Sequence, residues 1–198
     1  MATPPDFTTG SVLTAAQMNA VGLWRITSCT VTSVGGTAAT ASNGVITVGT
    51  GNTSVTVSSA FSSDFDNYRI VYNNGTNSAN GELTLVFGST NTGYYNTVVY
   101  GAWSNSPTAL AAGSANSASF AFAGAADPDG NFLDLKVYNP NLARRTVIAG
   151  PFVGMDNDRV GGYTTGFLAN TTTYTAFTIA ASTGSMTGGT IRVYGYRN

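Results

Sequence analysis

From Ile26 onward the chain switches about a dozen times between short runs rich in Val, Ile, Thr, Tyr and Phe and clusters of Gly, Asn, Asp and Ser. β-Branched and aromatic side chains fit a pleated, half-buried surface, whereas the intervening residues accept turn backbone. Each run therefore reads as a strand. The runs begin with "ITSCTVTSV" (26–34), "VITV" (45–48), "SVTVS" (54–58), "YRIVYN" (68–73), "ELTLVFG" (82–88) and "YYNTVVYGAW" (94–103). They continue with "SASFAFAG" (117–124), "NFLDLKVYN" (131–139), "RTVIAGPFVG" (145–154), "GYTTGFLA" (162–169), "YTAFTIAAS" (174–182) and "TIRVYGY" (190–196).

Period 2 assigns faces within several of these runs. In "NFLDLKVYN", Leu133, Leu135 and Val137 fall on one side and Phe132, Asp134, Lys136 and Tyr138 on the other, so the first set is expected in a core. In "TIRVYGY", Ile191, Val193 and Gly195 oppose Arg192, Tyr194 and Tyr196, which places two rings on the less buried side. No helical periodicity long enough to cross over between parallel strands follows any run. Antiparallel pairing is therefore expected, in an all-β, jelly-roll-like antiparallel β-sandwich. The stretches "GGTAATASNG" (35–44) and "SPTALAAGSANSAS" (106–119), made of small residues, read as long loops or hairpin tips.

The N-terminus breaks this pattern. In "TTGSVLTAAQMNAVGLW" (8–24), Thr14 is placed to cap a short helix beginning at Ala15, and Gly22 to end it. A helix of about two turns is marginal alone and needs packing. Leu13, Met18, Val21, Leu23 and Trp24 would supply it, against a partner or against the end of the sandwich. The chain thus divides into an N-terminal docking arm with a short helix (1–24) and one β-sandwich domain (25–198). At 198 residues and 42% hydrophobic, it holds one sizeable core and not two.

Charged residues make up 9% of the sequence, far below the roughly one quarter of an average soluble domain, and the formal net charge is -1. With Lys136 the single lysine and no basic run, nucleic acid is not an expected partner. Low charge also weakens colloidal repulsion, which suits a protein whose role is to associate. No apolar run reaches the roughly 18 residues of a membrane span, and no secretory leader pattern is present, so membrane insertion is not expected. Cys29 lies in an alternating run and reads as a small buried thiol.

Histidine is absent, which removes Ser-His-Asp and Cys-His catalysis and imidazole acid–base chemistry. Glu82 is the only glutamate and the aspartates gather in turns, a poor basis for a glycosidase carboxylate pair. "DPDGN" (127–131) and "MDNDRVGG" (155–162) place Asp127 and Asp129, and Asp156 and Asp158, as in fragments of calcium loops. Both lack the later bidentate glutamate, and an ordinary Asp-capped turn accounts for each. No enzyme activity, cofactor or metal is expected. Tyr94, Tyr95, Tyr100, Trp103 and Tyr163 lie in or beside Gly- and Asn-rich turns. There they either stack on a sugar or fill a core or subunit contact. Arg144 and Arg145 of "LARRT" (142–146) either grip an acidic glycan or a neighbouring carboxylate, or stand in a solvated turn.

Three segments resemble virion structural proteins of tailed bacteriophages. "DFTTGSVLTAAQMNAVG" (6–22) is similar to a leader on phage tail, fibre and related virion proteins; "FDNYRIVYNN" (65–74) resembles a strand of their β-sandwiches; and "GGTIRVYGYRN" (188–198) resembles their C-terminal strand. The resemblance implies a minor tail, fibre, baseplate-associated or head decoration protein. Such proteins are often symmetric oligomers, so a homo-oligomer is expected, with a trimer favoured. It also implies location on the tail or capsid surface and other virion proteins as partners, with host-glycan attachment as the alternative role. It carries no family active site onto these positions.

Overall fold

In a computed structural model of the chain, residues 22–103, 109–154 and 160–196 are described. These residues contain fifteen strands and no helix. The strands are β1 (Trp24–Arg25), β2 (Thr30–Val34), β3 (Thr40–Ser42), β4 (Val45–Thr47), β5 (Ser54–Ser58), β6 (Asn67–Asn77), β7 (Gly81–Phe87) and β8 (Tyr94–Ala102). The remainder are β9 (Ala109–Ser117), β10 (Phe120–Ala126), β11 (Leu133–Tyr138), β12 (Val147–Val153), β13 (Val160–Leu168), β14 (Phe177–Ala181) and β15 (Met186–Tyr196). The expected short helix, with Leu13, Met18 and Val21, lies outside the described residues. Trp24 and Arg25 already belong to the sheet, opposite Gly195 and Tyr194.

All pairings are antiparallel and form two sheets. The larger has the order β3-β4-β15-β6-β11-β12-β13-β8-β9, with β1 added beside β15; the smaller has the order β10-β7-β14-β5-β2. The alternation in the sequence explains the packing. Ile70 and Tyr72 of β6, Leu133, Leu135 and Val137 of β11, and Ile191 and Val193 of β15 turn inward from the large sheet. They meet Val55, Val57, Leu83, Leu85, Phe87, Phe177 and Ile179 of the small one in a single buried cluster, giving a β-sandwich-like arrangement. Phe61 joins this core, its ring lying 4.8 Å edge-on to Tyr68 and 5.7 Å from Phe177. The faces expected for β11 and β15 are those observed. Cys29 is buried, and burial pushes its thiol up to about 11.

Two stretches expected to be long loops or hairpin tips also hold strands. Residues 35–44 contain β3, joined to β4 by the two-residue turn Asn43-Gly44, both with positive φ (46° and 72°), the backbone of a tight type I′ hairpin. Residues 106–119 contain β9, which pairs along β8 from Tyr94 to Gly101. Neither strand has the β-branched and aromatic density that marks the others; pairing with a neighbour holds them extended.

Strands β12, β13, β8 and β9 carry the large sheet past β11. Their inner side wraps the edge of β10, where Val98, Ala125, Phe152 and Val160 form a second, smaller cluster with Tyr100, Ala112 and Phe122 around it. Pro151 sits within β12 without breaking the sheet, because the ladder to β11 covers only Val147 to Ala149.

Candidate functional site

The ring residues expected near a surface separate into three environments. Tyr94 is fully buried. Its hydroxyl accepts the Phe87 N–H at 2.8 Å and donates to the Thr90 carbonyl at 3.2 Å, and its ring stands edge-on to Phe120 at 4.9 Å. Burial pushes this phenol up to about 12. Tyr94 is therefore a core residue, the second of the two readings open to it, and offers no ring to a glycan. Tyr100 points to the inner side of β8. Tyr95 and Tyr163 lie on the outer face of the large sheet, four residues apart in the β8–β13 ladder, and Trp103 follows the ladder's last β8 residue, Ala102.

The inner side of the overhanging strands bounds a cleft of about 380 Å³. One wall is apolar, made by Val98, Tyr100, Phe122 and Phe152; the other carries Asn80, Glu82, Ser182 and Thr183, with Asp127 at the base. Glu82 accepts a hydrogen bond from the Ser182 hydroxyl at 2.9 Å. Asp127 opens the "DPDG" turn, its carbonyl accepting the Gly130 N–H at 3.1 Å, while Asn131 pins the turn to β6 by donating to the Thr76 carbonyl and the Tyr72 hydroxyl. Asp127 is buried and Asp129 exposed, so the two carboxylates do not share one side. Among the described residues no group of three or more Asp, Glu, Cys or His side chains stands together. Asp156 and Asp158 lie outside the described residues.

The outer face of the large sheet is more informative. The registers of β9, β8, β13 and β12 set Gly113, Thr97, Thr165 and Ala149 in one transverse row. On one side of it stands a ridge of Tyr95, Phe167 and Val147; on the other stand Ala111, Val99, Tyr163 and Pro151. Beside the small residues of the middle row, a groove of about 810 Å³ runs along the Tyr95–Phe167–Val147 ridge. Tyr95 and Phe167 are stacked nearly parallel, centroids 5.1 Å apart, and the Arg145 guanidinium lies over the Phe167 ring at 5.4 Å. Phe167 thus meets both a ring and a cation, which fixes Arg145 beside the groove. Trp103, 65% exposed, lies on Gly161, where any β-carbon would come within 2.8 Å of the indole.

The middle row continues across the sheet as Lys136, Arg69, Tyr194 and Arg25. Arg69 makes a two-pronged contact with Asp134, Nε donating to Oδ1 at 2.6 Å and the terminal nitrogen to Oδ2 at 2.5 Å. That contact holds the Arg69 guanidinium above its ordinary pKa. Arg192 shares the face and donates to Thr190 Oγ1 at 2.8 Å.

Of the residues expected to dock, Leu23 and Trp24 are exposed, at 49% and 36%, beside the C-terminal half of β15. Phe167, Val99 and Arg69 do not stand out in the sequence, and Lys136 does so only as the single lysine on the outward side of its strand. Period 2 in "GYTTGFLA" aligns Tyr163, Thr165 and Phe167, but the lateral neighbours come from strands distant in the chain. No family model, no curated protein and no solved structure matches the chain.

Proposed function

We propose that the protein is a non-enzymatic structural subunit of a tailed-phage virion, a jelly-roll-like sandwich that assembles with further copies of itself and docks on tail or capsid through its N-terminal arm. The observation that carries the assembly reading is β9. This edge strand runs nine residues, "ALAAGSANS", with neither a charge nor a proline, and among the described residues nothing pairs with its outer rim. Natural sheets blunt such edges with charges, prolines, shortness or a cover, because a bare row of N–H and C=O groups templates another strand. The opposite edge of the same sheet is β3, three residues long.

Strand order supports the jelly-roll reading. The set β4-β15-β6-β11 in one sheet faces β5-β14-β7-β10 in the other, and the chain crosses between the sheets at every step of the set except β7 to β10, which pair in the small sheet, with β8–β9 and β12–β13 as added hairpins. Such rolls build viral coat and lectin domains, a link made at the level of fold analogy. The leader resemblance at 6–22 supports docking of the arm on the particle.

Removal of residues 1–21 tests the docking role, since it leaves β1 intact. The truncated chain is expected to fold and self-associate but to be missing from particles that package the full chain. Incorporation at the normal level would overturn the arm's role. A second reading, host attachment through a surface glycan, is favoured by the rings and hydroxyls of the outer face.

A further inference from the structure

We infer that the outer face of the large sheet is a binding platform for an anionic polysaccharide, laid across the strands along the row from Gly113 to Arg25. This goes beyond the assembly reading and depends on neither virion membership nor β9 pairing.

The first ground is charge segregation. In a chain of net charge -1, the face gathers Arg25, Arg69, Lys136 and Arg192, with Arg145 over its aromatic half, against the single carboxylate Asp134. The other described acids lie elsewhere: Asp64 and Asp66 between β5 and β6, Glu82 on β7 of the small sheet, and Asp127 and Asp129 in the turn after β10. Asp134 is spent on Arg69. Among the described residues Lys136 and Arg145 have no carboxylate partner, and they flank the end of the groove where Ala149 and Phe167 lie.

The second ground is the shape and chemistry of the groove that leads to those cations. Its floor carries the exposed hydroxyls of Thr97 and Thr165 and its wall carries Tyr95 and Phe167, while the exposed Tyr163 ring stands on the same face across the row. Sugar rings need this combination, an apolar side to rest a ring face on and hydroxyls to pair with hydroxyls. The row crosses eight strands, so at the usual strand spacing it runs about 33 Å, a track for a chain of sugars and not for one.

Two other occupants fit less well. A second copy docked isologously would set this cationic face against itself. A nucleic acid strand carries a phosphate every 3.4 Å or so, whereas, with Arg69 between them held by Asp134, Lys136 and Arg25 stand three strands apart, about 14 Å. That sparse spacing matches a polymer with one carboxylate per sugar or per disaccharide.

Affinity electrophoresis of the full chain tests the inference, in gels containing hyaluronate, polygalacturonate or neutral dextran, alongside titration with an oligo(dT) strand. Retardation by the two uronate polymers and not by dextran is expected, weakening as salt is raised. The double variant Lys136→Ala/Arg145→Ala should bind about tenfold more weakly. Tyr163→Ala should weaken binding without altering its salt dependence, both variants keeping the wild-type circular dichroism spectrum. Migration unaffected by either uronate polymer, tighter binding of oligo(dT), or unchanged binding by the folded double variant would each overturn the proposal. Sedimentation of the same samples reports self-association separately, so failure of glycan binding and failure of the assembly reading are told apart.

Discussion

At the scale of single residues, the core is built around hydroxyl-bearing rings that the sequence could not assign. Tyr68, Tyr72 and Tyr94 are fully buried, each with its hydroxyl bonded to backbone. Burial raises all three phenols above their ordinary value of 10.0, Tyr94 to about 12, and Tyr196 also to about 12, with Tyr138 beside it adding to the effect. The neutral phenol is the form the fold favours, so its stabilisation is whole below pH 10 and is lost as pH rises through 12. Urea midpoints measured across that range should fall steeply, with phenolate absorbance at those tyrosines appearing only as the fold opens. Complete phenolate titration near pH 10 with the fold intact would contradict this placement. Tyr94 and Tyr95 are adjacent and were indistinguishable by composition; alternation sends one into the core and the other to the outer groove, and only the strand's register decides which.

At the scale of elements, legibility followed side-chain alternation. β11 and β15 were readable down to the face of each residue, because their buried positions are Leu, Val and Ile and their outward ones charged or aromatic. β3 and β9 read as loops or hairpin tips, since Ala, Ser, Gly and Asn carry no intrinsic strand preference and both strands are held by their partners. The β3–β4 hairpin depends on Gly44, at φ 72°, where a β-carbon would come within 2.5 Å of the Ile26 carbonyl oxygen. Gly44→Ala is expected to cost about 1–3 kcal/mol, read as a lower urea midpoint with an unchanged slope. A stability equal to wild type would show that the turn relaxes without strain. The lateral order of strands was not legible at all. β15 lies between β4 and β6, more than a hundred residues away, and no local pattern encodes such a pairing.

At the scale of the whole molecule, a chain poor in charge places most of its described cations on one sheet face and leaves one long edge bare. The low charge was plain in the sequence, but its segregation appeared only when the registers aligned Lys136, Arg69 and Arg25 in one row. The outer face and the β9 rim are distinct surfaces, so pairing at the rim would leave the cationic face open. The assembly claim turns on the rim. Sedimentation equilibrium of the full chain against the double variant Ala109→Lys/Ala111→Lys tests it most directly, because both alanines are exposed on β9 and two charges there repel a pairing strand. A wild-type oligomer, with a trimer expected, and a variant that is monomeric yet unfolds at the same urea concentration is the predicted result. A monomeric wild type, or a variant that associates as strongly as the parent, would contradict it.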